Sequence, residues 1–405
     1  MQLRIGAPAE VGMCPERIER VRRRVQSWVD GKLHSALVVI AARRGVIVLQ
    51  AAVGQLTPDP ASPPVQLDSI FPLASISKPI VATAAMILVE DALLGLNRRV
   101  QEYIPEFTGP GKEQVTVHHL LTHTAGIDDS AVDMHIVQKT GTTDLAQLVD
   151  DKATVHDLYV ELGYDAPLIC PPGQRHYYCQ YGIELVGQII ERVSGQALPD
   201  FAQERIFAPL GMNDTHYGVP AVLRPRTVRR PDDAPYAQPE TIPLDGTPVL
   251  CRALGGFNTN TFMESVWACG NVTSTAPDML RFGQIFLNRG MYGDTRILSP
   301  AAIALMRRNP IPGVGSWVGN QQETSEASYG YGWSITGNTH YINNGSLLSP
   351  ETVRHGGAGG VFIWLDPTYE LASIYFSVEL QPSPFKDHRA NSDLFVNGVT
   401  AAITE

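Results

Sequence analysis

The sequence predicts an α/β fold of the α+β type, in which an antiparallel sheet flanked by helices is joined to a mostly helical second domain. Two apolar runs near the N-terminus, residues 36–42 and 46–53, are separated by a tight-turn sequence and indicate a β-hairpin. Two further runs, 360–365 and 371–378, indicate a second hairpin near the C-terminus. Strands at both ends with helical patterns between them predict a sheet that the chain leaves early and rejoins late.

The elements before the helical region follow from simple patterns. A charged amphipathic stretch over 15–29 predicts the first helix, and the Pro-rich stretch 57–64 predicts a loop. Residues 80–89 are almost all apolar, which predicts a helix that is buried on every side. We therefore expect residues 1–80 and 290–405 to form a discontinuous sheet domain and residues 81–289 to form the helical domain.

Helical spacing continues through the middle of the chain and returns at its end. The segments with this spacing are 117–122, 144–162, 181–193, 199–207, 278–288, 299–307 and 391–403, and one further strand is predicted at 331–335.

One long segment, at about 222–262, has no clear period. It is rich in Pro, Arg and Asp and exceeds the length of an ordinary connection. We interpret it as an insertion that forms a lid or runs over the surface.

Composition excludes several classes of partner. The formal net charge of −10 argues against nucleic acid and anionic membranes, and no apolar run reaches the length of a membrane span. The five cysteines are an odd number without a CxxC pair, so neither a zinc site nor a disulfide framework is indicated. The first residues show no secretory pattern. We expect a cytoplasmic protein, and the oligomeric state is left open.

The segment Ser75-Ile76-Ser77-Lys78 precedes the apolar helix. A lysine three residues after a serine lies on the same helix face, where an amine can act on the hydroxyl proton. Unpaired N–H groups at a helix start would also favour an oxyanion. Taken alone, the same pattern describes a capped helix with a surface lysine, and the buried helix behind it favours the catalytic interpretation.

Two later segments have both structural and chemical interpretations. The stretch 172–182 contains Tyr178-Cys179-Gln180 and can be a turn with an aromatic cluster ahead of a helix. The stretch 354–360, with His355-Gly356-Gly357, can be a flexible loop or a bulge before a strand.

Together and in this order, the three segments resemble the superfamily of serine β-lactamases, penicillin-binding proteins and family VIII carboxylesterases, and most of all the carboxylesterases. That superfamily carries Ser-x-x-Lys, then Tyr-x-Asn, then Lys-Thr-Gly or His-x-Gly on a strand. The segments 120–126 (Leu-Leu-Thr-His-Thr-Ala-Gly), 210–212 and 272–278 also resemble its recurrent phrases. The resemblance covers nearly the whole chain and implies the β-lactamase-like fold.

The resemblance also implies the catalytic roles. Ser75 would attack the substrate carbonyl and become acylated, Lys78 would take or share its proton, and Tyr178 would be the second base or acid. A lysine base needs a lowered pKa, which burial supplies, whereas a neighbouring ammonium would lower the pKa of a tyrosine. These effects compete, so the sequence leaves open which of the two groups holds the proton.

The third segment would supply the substrate-binding groups. His355, Gly356 and Gly357 correspond to the Lys-Thr-Gly strand, and the N–H groups of Ser75 and Ala358 would form the oxyanion hole.

Two departures bear on the substrate. Gln180 stands where the superfamily usually has Asn, so its longer amide is expected to contact the substrate differently. His355 replaces a lysine, and a mostly uncharged imidazole gives a substrate carboxylate no fixed charge. Arg354 should point to the opposite face of the strand.

We therefore expect a serine hydrolase that cleaves a small-molecule carboxylic ester through an acyl-enzyme, without cofactor. Acyl transfer and hydrolysis of an amide or D-amino-acid peptide are alternatives that use the same residues. A non-catalytic binding protein on this fold is the alternative from another class. His119 and His123 have metal-like spacing without an HExxH companion, so no metal is expected.

Overall fold

The computed structural model describes residues 2–150, 155–241, 256–318, 320–337, 345–380 and 391–405. The strands are β1 (Arg4–Ile5), β2 (His34–Arg43), β3 (Val46–Gly54), β4 (Phe71–Pro72), β5 (His216–Tyr217), β6 (Val272–Ser274), β7 (Met291–Tyr292), β8 (Thr295–Arg296), β9 (Ser316–Val318), β10 (Gln321–Thr324), β11 (Ser334–Ile335), β12 (Val353–Gly357), β13 (Val361–Asp366) and β14 (Leu371–Glu379). The α-helices are α1 (Pro15–Asp30), α2 (Ser77–Glu90), α3 (Val117–Leu121), α4 (Asp129–Thr140), α5 (Val155–Leu162), α6 (Tyr181–Ser194), α7 (Leu198–Ala202), α8 (Ala208–Leu210), α9 (Asn260–Glu264), α10 (Ala276–Leu287), α11 (Pro300–Met306) and α12 (Ser392–Thr400).

Both ends of the chain contribute to one sheet, in the order β1-β3-β2-β14-β13-β12-β11. Strands β2 and β3 form the expected antiparallel hairpin. Its turn contains Arg44 and Gly45 with φ values of 49° and 74°, as a two-residue hairpin turn requires. Strand β14 returns beside β2, with Ile374 opposite Ile40. The predicted hairpins and the late return of the chain to the sheet are confirmed.

The sheet is covered on both faces. Helix α10 packs on β2, β13 and β14, whereas α1 and α12 pack on the sheet from the other side. The alternation of side chains along β2 explains this, because Val38 and Ile40 join the larger apolar cluster while Leu37 and Val39 join the smaller one. A sheet with two buried faces has near-continuous apolar strands, as the sequence shows.

Helix α2 is the central helix of the fold. Residues from Ser77 to Leu88 are all buried, and the helix packs against α6 and α7. The predicted all-apolar helix is therefore confirmed. Its buried N-terminal end carries the Ser-x-x-Lys segment.

One helix was not predicted, and two predicted elements differ from the structure. Helix α4 was not predicted, because its apolar residues follow no clear stripe; it begins where Asp128 accepts a hydrogen bond from the Ala131 amide at 2.9 Å. The predicted helix 144–162 contains a 3-10 turn at Leu145–Gln147 and then α5, and residues 151–154 lie outside the described part. The predicted strand 331–335 shortens to β11, because Gly332 adopts a left-handed φ of 76°.

The insertion at 222–262 has short helical segments in its described part, at Ala221–Arg226, Pro239–Thr241 and α9. Residues 242–255 lie outside the described part. Its function as a lid stays a prediction, as does the division of the chain into two domains. Among the described residues, no helix has both the length and the apolar character that crossing a membrane requires.

Candidate active site

Ser75 lies in a 3-10 turn, Ala74–Ile76, immediately before α2. Ala74 has a positive φ of 46°, an uncommon conformation for a residue with a Cβ. Ser77 stabilises the turn, since its hydroxyl donates to the Ala74 carbonyl at 2.7 Å and accepts from the Val272 amide at 3.0 Å. Ser75 itself is partly exposed, although Ile76 and Lys78 are buried. The proposed nucleophile is thus accessible at the end of a rigid, buried helix.

The Lys78 amine is fully buried and has three oxygen partners. Its Nζ donates to Ser75 Oγ at 3.0 Å, to Gln180 Oε1 at 2.6 Å and to the Cys269 carbonyl at 3.0 Å. An ammonium has three N–H donors and no acceptor, so these three partners use all of its donors. The first two predicted catalytic residues are therefore in direct contact.

The charge state of Lys78 differs from the simplest expectation. Burial acts to lower the pKa of Lys78, as expected from the sequence, but Tyr178, the Cys269 thiol and Asp129 act in the opposite direction. The net result is a pKa of Lys78 above its ordinary value. The ammonium form is favoured because the interactions with these neighbours outweigh the loss of solvation.

Tyr178 lies beside this amine. Lys78 Nζ is 4.8 Å from the centroid of the Tyr178 ring, and Tyr178 acts to raise the pKa of Lys78. The ring packs on His123, with centroids 4.6 Å apart, and the residue is 42% exposed. Tyr178 therefore connects the buried amine with the solvent-accessible side of the site.

Gln180 contacts Lys78 in this structure. Its Oε1 accepts the 2.6 Å hydrogen bond from Lys78, while its backbone N–H donates to the Asp129 carboxylate at 2.8 Å. The extra methylene relative to Asn does not prevent the amide from reaching the amine. Contact between Gln180 and a substrate stays a prediction.

Strand β12 brings the third segment to the nucleophile. It pairs with β13 and packs against the 3-10 turn that carries Ser75. A Cβ on Gly357 would lie 2.1 Å from the Leu73 carbonyl oxygen, so only glycine allows this approach. Ala358 follows directly and shares an apolar cluster with Ala74. The strand and the turn are thus adjacent, as an oxyanion hole built from Ser75 and Ala358 would require.

His355 and Gly356 lie on β12 beside the motif tyrosine. The His355 ring is buried and 6.3 Å from the Tyr178 ring, and its Nδ1 donates to the Gly356 carbonyl at 2.8 Å. Burial alternates along β12, which places Arg354 on the opposite face from His355, as the sequence indicated.

Three contributors to the site were missed by sequence reasoning. Asp129 and His123 bind the backbone of the Tyr178 segment, and the Cys269 carbonyl accepts from Lys78. A backbone carbonyl leaves no side-chain signal. His123 and Asp129, however, lie in and just after the recurrent phrase 120–126, which could have indicated them.

The two histidines with metal-like spacing have other partners. His119 Nδ1 accepts from the Thr116 amide at 3.1 Å, and His123 Nδ1 accepts from the Cys179 amide at 3.2 Å. Within the described ranges, no group of three His, Cys, Asp or Glu side chains is arranged to hold a metal ion.

The chain is similar to several known proteins in sequence and in fold. Penicillin-binding protein 4 of Amycolatopsis lactamdurans is 31% identical over 305 residues, which cover 74% of this chain and 69% of that protein. A family VIII carboxylesterase structure aligns with a TM-score of 0.74 at 23% identity, over 96% of this chain and 98% of that one. EstCE1, described as a hydrolase with promiscuous acyltransferase activity, aligns with a TM-score of 0.72 at 22% identity, over 96% and 99%.

The family model described as Beta-lactamase matches residues 21–397. This match includes the three segments and the sheet that both ends of the chain build. The chain belongs to the beta-lactamase family of serine hydrolases.

Proposed function

We propose that this chain hydrolyses a small-molecule carboxylic ester through an acyl-enzyme on Ser75. The observation that carries the proposal is the 3.0 Å contact between the Lys78 amine and Ser75 Oγ, at a partly exposed serine whose lysine partner is fully buried. A nucleophile and a proton acceptor at hydrogen-bond distance satisfy the first geometric condition for covalent catalysis.

The hydrogen bonds of Lys78 suit proton transfer. As an ammonium, Lys78 donates to Ser75, Gln180 and Cys269. A neutral Lys78 amine would still donate its two N–H groups to the carbonyl oxygens of Gln180 and Cys269, and its lone pair would face the Ser75 hydroxyl. The proton can therefore move without rearrangement of the site.

Lys78 and Tyr178 act on Ser75 as one pair of proton-transfer groups. Lys78 Nζ lies 3.0 Å from Ser75 Oγ and 4.8 Å from the centroid of the Tyr178 ring, so both side chains are close enough to share the serine proton. We assign the uptake of the Ser75 proton to this pair in its reactive form, which has lost one proton and so offers the lone pair that accepts the serine proton. The pair then returns the proton to the leaving alkoxide as the acyl-enzyme forms.

The third segment supplies electrostatic stabilisation in this proposal. The N–H groups of Ser75 and Ala358 would bind the oxyanion of the tetrahedral intermediate, and Gln180 and the β12 residues His355, Gly356 and Gly357 would line the substrate. Preorganised backbone donors of this kind are worth about 10²–10³ in rate in other hydrolases.

An ester is the favoured substrate because His355 occupies the position where penicillin-recognising proteins have a lysine. An ester needs no anion site, and its alkoxide leaves more readily than an amine. Acyl transfer is a second candidate, since EstCE1 is described as a hydrolase with acyltransferase activity and shares this fold. Both reactions begin with the same acyl-enzyme and differ in whether water or another acceptor removes the acyl group.

Covalent labelling tests the proposal. A fluorophosphonate probe should add one phosphonyl group to the peptide that contains Ser75, and Ser75→Ala should lose the label and at least about a thousandfold in ester turnover. Ser77→Ala is the matched control, because this serine stabilises the same turn but faces the Ala74 carbonyl and the Val272 amide. It should still be labelled at Ser75. Near-normal turnover by Ser75→Ala would overturn the mechanism.

A further inference from the structure

The Tyr178 segment is held by the residues that follow α3. The Tyr177 amide donates to the His123 carbonyl at 2.8 Å, and the Cys179 amide donates to His123 Nδ1 at 3.2 Å. Because Nδ1 accepts a hydrogen bond, the neutral ring carries its proton on Nε2, which faces the Tyr329 hydroxyl at 3.2 Å. His123 thereby fixes the backbone on both sides of Tyr178.

Asp129 continues this attachment at the start of α6. Its carboxylate accepts from the Gln180 amide at 2.8 and 3.0 Å, from the Tyr181 amide at 2.9 Å and from the Cys179 thiol at 3.1 Å. The first amides of a helix have no partner within the helix, so a carboxylate at this position binds them strongly. Three donors on one carboxyl group match its ionised form, which only accepts hydrogen bonds.

Through Gln180, this carboxylate is connected to the nucleophile. Gln180 donates its backbone N–H to Asp129 and accepts with its side-chain oxygen from Lys78, which in turn contacts Ser75. Displacement of the Gln180 backbone would therefore move one of the three acceptors of the lysine.

We propose that Asp129 is a positioning residue that fixes Gln180, and through it the Lys78 amine, against Ser75, and that its negative charge helps to hold the proton of the Lys78–Tyr178 pair. The proposal rests on the Ser75 chemistry of the proposed function and adds to it a residue outside the three segments. It also gives the segment after α3 a role in that chemistry.

Several charged or titratable groups face the lysine and have to be considered together. Tyr178, the Cys269 thiol and Asp129 all act to raise the pKa of Lys78. The buried rings of His123 and His355 also lie within this electrostatic environment. Burial is the largest influence on Asp129 and leaves its pKa above the ordinary value, although the amides of Tyr181 and Gln180, the Cys179 thiol and the charge of Lys78 act to lower it.

A purely structural cap would have a different signature from a residue that also sets the charge of the pair. Loss of a cap lowers stability and can slow the reaction at every pH. Loss of the Asp129 charge should in addition make the pair easier to deprotonate, so that its reactive form appears at lower pH. The pH profile therefore separates the two roles.

The experiment follows the rate constant of Ser75 phosphonylation by a fluorophosphonate from pH 6 to about pH 11.5, because the pKa of Lys78 is raised above its ordinary value of 10.5. Asp129→Asn should move the midpoint of the profile by about 0.5 to 1 unit toward lower pH. It should also reduce the plateau rate about tenfold, as expected when a supporting hydrogen bond is lost. Asp129→Glu, which keeps the charge, should return the midpoint to the wild-type value.

Asp128→Asn is the matched control. Asp128 is adjacent in sequence and caps α4 through the Ala131 amide, so its loss should lower thermal stability and leave the midpoint unchanged. Asp129→Ser is the second variant, for use if Asp129→Asn does not fold. It keeps one hydrogen-bond acceptor without the charge and should give the same shift.

The outcomes distinguish this inference from the function on which it rests. A wild-type chain that takes no label overturns both. A labelled wild-type chain whose midpoint does not respond to Asp129→Asn overturns the inference alone, even if labelling is slower. An equal shift in Asp128→Asn also overturns it, because the effect would then not be specific to Asp129.

Discussion

At the residue scale, the position held by His355 is the main departure from the penicillin-recognising pattern. The imidazole is buried beside Tyr178 and its Nδ1 is bonded to the Gly356 carbonyl. Arg354 lies on the opposite face of β12 and so does not replace the missing lysine charge on the site side. A substrate carboxylate next to the reacting carbonyl would thus have no fixed cation from this strand.

This arrangement predicts that esters are preferred over penicillins and cephalosporins. Loss of one charge-assisted hydrogen bond costs on the order of 1.5–3 kcal/mol, or roughly ten- to a hundredfold in rate. We expect kcat/KM at pH 7.5 to be at least about a hundredfold higher for a short-chain p-nitrophenyl ester than for a chromogenic cephalosporin. His355→Lys should narrow this ratio by improving the cephalosporin reaction.

His355→Gln is the control, because it is polar and uncharged and should leave the ratio near its wild-type value. Equal efficiencies in the wild-type protein would contradict the charge argument. An equal effect of the glutamine and lysine variants would contradict it as well.

At the element scale, the insertion packs on the turn that carries the nucleophile. Phe257 and Phe262 pack on Ala74, and Tyr236 and Ala358 pack against the same cluster. We call the three aromatic side chains of this cluster, Tyr236, Phe257 and Phe262, the aromatic wall. The Tyr236 and Phe257 rings are stacked with centroids 5.8 Å apart. Because Ala74 precedes Ser75 and Ala358 follows the third segment, the wall lies directly beside the reacting groups.

The insertion also holds the turn after β12. The buried Arg230 guanidinium donates to the Gly359 carbonyl at 2.7 Å and lies 5.2 Å from the centroid of the Phe257 ring. Burial lowers the pKa of Arg230 to about 10, so the side chain stays charged at neutral pH. The described part of the insertion is therefore attached to the site, which a simple surface excursion would not require.

The aromatic wall predicts a preference for longer acyl chains. Tyr236 is the partly exposed ring of the wall, and its removal should take away apolar surface worth about 1–2 kcal/mol to a chain of several methylenes. Tyr236→Ala should lower kcat/KM for a p-nitrophenyl hexanoate about fivefold or more and leave the acetate within about twofold.

Tyr292→Ala, on the β7–β8 hairpin, is the control for loss of a partly exposed tyrosine elsewhere, and its hexanoate-to-acetate ratio should not change. An unchanged ratio in Tyr236→Ala would show that the acyl chain does not reach the wall. A higher ratio would mean that Tyr236 obstructs longer chains.

The elements that the sequence predicted well are those in which one periodicity dominates. Helix α2 and the two hairpins are continuous apolar runs bounded by turn residues, and they were placed within a few residues. Helix α4 was missed because it depends on Asp128 as a cap and on contacts formed only in the folded chain. In the site, Ser75, Lys78 and Tyr178 were indicated by motifs, whereas the contacts of Asp129 and the Cys269 carbonyl arise from tertiary packing that no local pattern encodes.

At the scale of the whole molecule, a buried ion pair connects the helical layer to the site. Glu184 on α6 is 1% exposed, and its carboxylate is 2.7 Å from His156 Nε2 on α5. The same carboxylate accepts from the amides of Ala268 and Cys269 at 3.0 and 2.9 Å. Since the Cys269 carbonyl accepts from Lys78, the pair supports the backbone behind the catalytic amine.

The pKa values of this pair set the sign of its effect on stability. Burial alone would lower the pKa of His156, but Glu184 and Asp157 raise it to about 9. A raised histidine pKa stabilises the folded state. This contribution is complete at pH values below 6.5, the pKa of the unfolded histidine, and it is lost as the pH rises toward 9. Burial acts to raise the pKa of Glu184, but His156 and the Cys269 amide lower it overall, so its contribution is lost only in acid, below the ordinary value of 4.5.

We therefore predict that His156→Gln destabilises the protein in a pH-dependent way. At pH 6 the variant leaves a buried carboxylate without its counter-charge, which should reduce the free energy of unfolding by on the order of 3 kcal/mol. At pH 9.5, above the His156 pKa of about 9, most of the wild-type histidine has lost its proton, and the difference between the two proteins should fall to about 1 kcal/mol, typical of one neutral hydrogen bond. Urea unfolding at the two pH values measures both differences.

Comparing the variant with the wild type at each pH removes the contributions of other groups. Burial lowers the pKa of Lys112 to about 8, so this lysine alone makes the folded state more stable as the pH rises from about 8 to 10.5, opposite to His156. Lys112 is present in both proteins, and its effect cancels in the difference.

His216→Gln is the matched control, because the His216 ring contacts the Asn213 carbonyl on the surface, and it should give a small difference that is the same at both pH values. A His156→Gln difference of equal size at pH 6 and pH 9.5 would show that the pair is held by packing and neutral hydrogen bonds, without a charge on His156.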